Sequence, residues 1–495
     1  MSIVSSRRDF LKGAATAGLL FSTRGLLVAE AQTPSATREL FLPDEGWRMW
    51  PDTKAAWKED TIYLPGEFSL SQLPVNPPTG GWAALSSSQG MSVTLPATVE
   101  QFYWGAFGHR PYKNEYKFEE TDHEVKNGSY CGVSWWWREI EIPEDFKGRR
   151  IFLHVRAARL RAEVYLNQKL VGYSILEELP FECEITDAAR PGERNQLAIR
   201  ITNPGGEMDW VDGRELQWGD VRLQSSHGFG GLDRALRLTA HGDVRVKDSW
   251  VLNTPDARAI TVHAELQNLS TQPAAGSIVF SVIDPASGHA VAKKDLPARV
   301  EANAAATFHA DLRYDGAKLW DLDTPHLYHL RVEWEGPGAS SDFQQIWFGF
   351  RWFAPEGIGT NAMFRLNGRR TRIYTSISWG FWGLNGIFPT PELAKREVEA
   401  AKTFHLNCLN FHRNVGKPEV FDLQDRMGLL RCMEPGGGYQ AVSASGFAQR
   451  YMEAKIVHMI RAFRSHPSLV EYILQNEAKP DLKNPNLYRI LRLMH

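Results

Sequence analysis

The chain has 495 residues, 43% of them hydrophobic and 11% aromatic, enough for several buried cores and too many for one, so about three domains are expected. Its 56 Lys and Arg against 58 Asp and Glu leave a formal charge of −2, which provides no global field for nucleic acid or an anionic membrane. Cys131, Cys183, Cys408 and Cys432 stand far apart without Cys-x-x-Cys or Cys/His spacing, which excludes a disulfide-stapled module and argues against a zinc site.

At the N-terminus, Ser6-Arg7-Arg8-Asp9-Phe10-Leu11-Lys12 precedes a small and apolar stretch from Gly13 to Ala29. Ala29-Glu30-Ala31 then offers the small-x-small pattern of a signal peptidase site. Residues 1–31 resemble a twin-arginine export signal. The resemblance implies the twin-arginine export machinery as a partner, folding before export, and a mature chain starting near Gln32 in the periplasm or outside the cell. Arg24 breaks the apolar run, leaving it short of the roughly 20 residues that span a bilayer, so no membrane anchor is expected after processing. The four cysteines read as buried thiols; a Cys408–Cys432 pair would require neighbouring strands.

Residues 32–95 are rich in Pro, Gly, Ser and Trp without a sustained period and read as an irregular lead-in with short strands. Over 96–242, short alternating segments recur between turn residues: Trp135 to Ile142, Arg150 to Val155, Ala162 to Leu166, and Gln196 to Ile201. That spacing predicts an antiparallel sandwich. Trp135 and Trp137 share a strand face and are expected in its core. The segment from Asn203 to Asp220 is too polar for a strand and reads as a loop, and Gly228-Phe229-Gly230-Gly231 as a turn, since no phosphate-loop context surrounds it.

Residues 243–350 carry strand patterns at Ile260 to Leu266, Gly276 to Val282, Ala305 to Leu312 and Leu327 to Trp334, an immunoglobulin-like sandwich by length and spacing. The period changes in 351–495. Phe364 to Ile373 reads as a strand, followed by a helix from Pro391 to Phe404 behind a Thr390 cap. Strand Asn407 to Phe411, helix Pro418 to Met427, strand Gly428 to Met433, helix Phe447 to Phe463 and strand Leu469 to Leu474 follow. Strand alternating with helix predicts parallel βα units. The final run, Asn484-Pro485-Asn486-Leu487-Tyr488-Arg489-Ile490-Leu491-Arg492-Leu493-Met494-His495, is helical in pattern.

The run from Trp135 to Tyr173, the segment from Leu319 to Val332, Phe348-Gly349-Phe350-Arg351-Trp352-Phe353, Phe364 to Ile373 and His466 to Ala478 keep one order. In that order they resemble glycoside hydrolase family 2, which includes β-galactosidases, β-glucuronidases and β-mannosidases. The resemblance spans roughly Trp82 to Pro480. It implies a jelly-roll β-sandwich, an immunoglobulin-like β-sandwich, a (β/α)₈ TIM barrel whose first strand is Phe364 to Ile373, and a carbohydrate substrate; acid/base chemistry calls for no cofactor, and no metal-ligand spacing stands in the sequence, although some family members bind cations near the site.

A retaining glycosidase needs two carboxyls about 5–5.5 Å apart, one to protonate the leaving oxygen and one to attack the anomeric carbon. Barrels present such groups at the C-terminal ends of strands. Glu477 follows the apolar segment Leu469 to Leu474 and by resemblance is the catalytic acid/base, with Asn476 binding the sugar 2-hydroxyl. Glu434 and His412 close the third and second strands and are expected to bind substrate; either also fits a structural role. Asn410 stands where relatives carry an arginine, and Arg413 is the alternative cation. Trp379, like Trp382, offers a flat face for a sugar ring.

A complete barrel takes about 250 residues, yet only 145 follow Phe350. The expectation is therefore the N-terminal half of a barrel, holding the acid without the family's late-strand nucleophile. Two alternatives stand beside the hydrolase reading: a non-catalytic carbohydrate-binding protein or decayed enzyme, and an enzyme completed by a second polypeptide.

Overall fold

The computed structural model describes residues 38–86, 88–103, 110–111, 126–127, 130–204, 215–218, 221–224, 229–337, 341–378, 389–412, 414–436, 446–475 and 481–494. The export signal expected at 1–31 lies outside them, as do Trp379, Trp382, Arg413, Asn476 and Glu477. Among the described residues no helix is long and apolar enough to cross a membrane.

Two antiparallel sandwiches lead into a short parallel α/β region. In the first sandwich a four-stranded sheet runs Arg38–Phe41, Arg237–His241, Arg150–Val155, Phe181–Glu184. It packs on a six-stranded sheet in the order Lys169–Ser174, Arg161–Leu166, Arg194–Asn203, Gly132–Glu141, Trp47–Asp52, Met91–Val93. Trp47, Trp136, Leu153, Val164, Ile199 and Leu238 fill the space between the sheets. Residues 38–41, 47–52 and 91–93, expected as short strands of an irregular lead-in, thus belong to the sheets of this sandwich.

An antiparallel sheet of this kind ordinarily leaves one face wet, yet Arg161–Leu166 is buried at every position. Its outer face is covered by the remainder of the lead-in. Trp82 packs edge-on against Trp135 at 5.8 Å and Tyr165 at 5.1 Å, and the Gln196 amide donates to the Leu85 carbonyl at 3.1 Å. Trp135 and Trp137 therefore bury beneath Leu85 and Trp82, while Trp136 takes the inter-sheet position expected of its neighbours. The same cover closes over a polar network. Glu163 accepts from Arg161, from Arg200 at 3.1 Å and from the Tyr165 hydroxyl at 2.5 Å. Burial pushes its carboxyl up and the two guanidiniums more than reverse this, holding it below the usual carboxylate range.

Glu100 shows the opposite balance. Its Oε1 accepts from the Tyr130 amide at 2.8 Å, but desolvation dominates and raises its pKa from 4.5 to about 7. The native state then holds a proton that the unfolded chain releases above pH 4.5, so this group's contribution to stability falls as pH rises from 4.5 to about 7. Glu100→Gln keeps the acceptor and removes the titration. We expect it to raise stability by about 2–3 kcal/mol at pH 8 and to change little near pH 4.5, read from urea midpoints at the two pH values.

In the second sandwich, Val244–Asn253, Ala259–Asn268 and Ala305–Arg313 form one sheet; His289–Val300, Ala274–Asp284, Tyr328–Glu335 and Ser341–Phe348 form the other. Ala259–Asn268 alternates strictly, burying Ile260, Val262, Ala264 and Leu266, as a strand with one core face must.

Phe364 to Ile373 is not the first strand of the parallel sheet. Asn367 and Gly368, at φ +51 and +79, turn the chain into an antiparallel hairpin of Met363–Leu366 and Arg369–Thr371, which pairs with Phe353–Glu356. An Asn-Gly pair between strand residues is a type I′ hairpin signal, and it overrides the strand propensity around it.

The parallel sheet begins at β1 (Thr375–Ser378) and continues in sequential order through β2 (Cys408–Phe411), β3 (Leu430–Met433) and β4 (Leu469–Tyr472). Helices α1 (Pro391–Thr403), α2 (Pro418–Met427) and α3 (Gly446–Phe463) connect these strands, and α4 (Pro485–Met494) follows β4. The Thr390 hydroxyl accepts from the Leu393 amide, capping α1. Gly428 ends α2 at φ +71, and a Cβ there would meet the Leu322 carbonyl oxygen at 2.3 Å, so both conformation and space require glycine. Leu409, Phe411 and Met433 pack toward the helices with Ala394, Phe421 and Met452.

Candidate functional site

Side chains alternate along a strand, so Cys408 and Asn410 of β2 and Cys432 of β3, with Glu434 just beyond it, occupy the face away from the helices. At the C-terminal ends of these strands three polar groups meet. Glu434, 1% exposed, accepts at Oε1 from the Asn410 amide at 2.9 Å and pairs with His412 Nδ1 at 3.1 Å. The His412 backbone amide donates to the Ser378 carbonyl at 2.8 Å, which ties the end of β2 to the end of β1. Both side-chain contacts fall on one oxygen, so the carboxylate plane is fixed by two residues of the neighbouring strand. Such an arrangement can orient a hydroxyl-bearing ligand without reorganising on binding.

One layer below, Cys408 Sγ and Cys432 Sγ lie 3.5 Å apart, and the Cys432 thiol reaches Glu471 at 3.5 Å. The two strands are neighbours, as a bridge would require, and both thiols are free. β4 runs parallel to β3, and the Ile473 amide donates to the Met433 carbonyl at 2.8 Å, so the chain continues alongside Glu434 toward Gln475. Arg351 supports this strand from the second sandwich: it donates to the carbonyls of Pro467 at 2.6 Å and Leu469 at 2.7 Å. Burial lowers its pKa to about 10.

Of the residues singled out in the sequence, His412 and Glu434 are brought together. Trp379, Asn476 and Glu477 lie outside the described residues. Asn410, noted only for standing in place of an arginine, proves to be a direct partner of Glu434. Its signal was parity, since it sits two residues before His412. Among the described residues, no group of three or more His, Cys, Asp or Glu side chains is placed to hold a metal ion.

An acidic residue, Glu434, thus stands at the end of a parallel strand in a chain that reaches its α/β region through two antiparallel sandwiches. The chain is similar to glycoside hydrolases: its residues 242–351 match the model "Glycosyl hydrolases family 2". It is 24% identical over 361 residues to β-galactosidase BoGH2A of Bacteroides ovatus, covering 70% of this chain and 40% of that protein. A β-glucuronidase of Formosa agariphila is 21% identical over 368 residues, covering 70% and 36%. A solved family 2 member from Bacteroides cellulosilyticus superposes with TM-score 0.68 at 18% identity, covering 92% of this chain and 56% of that one. The chain therefore spans about two-fifths of the length of the curated relatives it matches.

Proposed function

We propose that the whole protein is a glycosidase that removes terminal β-linked sugars by a retaining two-carboxylate mechanism. The observation that carries this reading is the Asn410–Glu434–His412 cluster at the C-terminal ends of consecutive parallel strands in a chain that matches the family 2 model over residues 242–351. In this reading the first sandwich is a jelly roll, the second is immunoglobulin-like, and β1 to β4 open a (β/α)₈ barrel. Glu477 protonates the glycosidic oxygen as its bond to the anomeric carbon breaks, while a second carboxylate on a later barrel strand attacks that carbon. Water then releases the sugar, giving its proton back to Glu477. Asn476 holds the 2-hydroxyl; Glu434, His412 and Trp379 bind the ring. The twin-arginine segment directs the folded protein to the periplasm or beyond.

The test is product stereochemistry. Full-length protein is screened on aryl β-galactoside, β-glucuronide and β-mannoside, and the first-formed sugar is followed by proton NMR. The expected first product is the β-anomer. An α-anomer would overturn retention, and binding without turnover on every substrate would favour the carbohydrate-binding alternative.

A further inference from the structure

Two turns of the first sandwich reach across to the parallel region, and both end on connections that leave its strands at the site end. Residues 175–179 are buried at every position, and Ile175, Leu176 and Leu179 enter the apolar cluster of α1, α2 and α3. Between them Glu177 accepts from Lys455 of α3 at 2.5 Å. Glu178 accepts from Lys417, which also reaches the Asn414 side-chain oxygen at 3.4 Å. Arg159 lies behind, its Nε 3.4 Å from Glu177 and 3.8 Å from Glu178. None of these five charged side chains is more than 3% exposed.

The second turn carries Arg234, which donates to Glu419 of α2 at 3.0 Å and to the Pro389 carbonyl at 3.1 Å. Arg156 completes it, 3.2 Å from Asp233 and 2.5 Å from Glu419. Both turns hold a non-glycine residue at positive φ, Glu178 at +61 and Ala235 at +56, a conformation that persists only where the surroundings dictate it and that concentrates at functional sites. Buried ion pairs are a poor source of stability, because desolvation offsets their attraction. What these provide is placement. Asn414 and Lys417 lie in the connection that begins at His412, and Pro389 precedes the Thr390 cap at the end of the connection from β1.

We propose that the two buried ion clasps make Glu178 and Arg234 positioning residues, through which the first sandwich fixes the connections after β1 and β2 and thereby sets the affinity of the site for its sugar. The proposal rests on the functional reading above. The contacts of Glu178 and Arg234 fall on Asn414, Lys417, Pro389 and Glu419, in the connections from β1 and β2 and the helix that follows, whereas Glu477 follows β4 in the sequence, so losing a clasp weakens binding and leaves bond cleavage intact.

The experiment uses the full-length protein with Glu178→Gln combined with Lys417→Met, which removes anion and cation together so that neither is orphaned. Lys417→Arg is the conservative comparison. Arg245→Met with Glu182→Gln is the control, a pair joined at 2.9 Å between buried Arg245 and exposed Glu182 where the two sandwiches meet. In the clasp variant, amide hydrogen exchange at 414–417 should rise about tenfold or more with β2 and β3 unchanged. KM for the best aryl glycoside should rise about tenfold while kcat stays within about twofold. Lys417→Arg should restore KM, and the control should move neither quantity. Unchanged exchange and KM in the clasp variant, or equal shifts in the control, would overturn the proposal. If the wild-type protein cleaves no glycoside, the functional reading falls, and the exchange measurement still decides whether the clasp holds the connection.

Discussion

Glu477→Gln in the full-length protein is expected to lower kcat on alkyl β-glycosides by about 10²–10⁴-fold, the range that general acid catalysis contributes. The alkoxide leaving group is a strong base and cannot depart unprotonated. On a dinitrophenyl glycoside of the same sugar the loss in the first step should be far smaller, because that phenolate leaves without help. Turnover is then expected to stall at hydrolysis of the covalent intermediate, where in this reading the same group acts as base, so the pre-steady-state burst is the quantity to measure. An equal loss on both substrates would remove Glu477 from the acid role. Asn410→Ala provides the contrast. It frees the Glu434 carboxylate from one of its two fixed donors and, in this reading, weakens sugar binding without discriminating between leaving groups.

The parts of the fold that were legible in the sequence are those in which local and tertiary preferences agree. Thr390 with Pro391 starts α1, and Pro418 sits in the first turn of α2; each is a signal carried by one or two residues, whereas Gly428, read as the first residue of a strand, ends α2 in a left-handed conformation. The Asn367-Gly368 turn was equally local, but the branched and aromatic residues on either side read as one continuous strand, and the pairing of Met363–Leu366 with Arg369–Thr371 shows the hairpin. The burial of Trp135 and Trp137 could not be read from their own strand. Parity placed them on one face, and which face is the inter-sheet core depends on Leu85 and Trp82 lying over the other. The candidate site divides in the same way. His412 and Glu434 announce themselves at strand ends, whereas Glu178 and Lys417 are 239 positions apart, and no pattern in the sequence joins an acidic turn of a sandwich to the lysine before a helix.

The largest effect on stability is expected at Glu163. Its side chain is 1% exposed and neutralises Arg161 and Arg200, themselves 1% and 2% exposed. Glu163→Gln retains a hydrogen-bond acceptor but leaves two buried guanidiniums facing Asp60, which lies 2.7 Å from Arg200 and 3.5 Å from Arg161. Removing one member of a buried ionic group costs about 3–5 kcal/mol. Trp82 and Trp135 pack on Tyr165, whose hydroxyl bonds Glu163, so their fluorescence reports on this part of the sandwich during urea unfolding. The pH dependence has a defined sign. The folded-state pKa of Glu163 lies below the unfolded value of 4.5, so its contribution is complete above pH 4.5 and is lost as pH falls through the lower, folded value. The deficit of the Gln variant should therefore be full at pH 7 and shrink in acid. The penalty belongs to the orphaned cations and not to a missing contact. Replacing Arg161, Glu163 and Arg200 together by Met should accordingly cost less than Glu163→Gln alone, and a triple variant less stable than the single one would show that the network contributes net attraction.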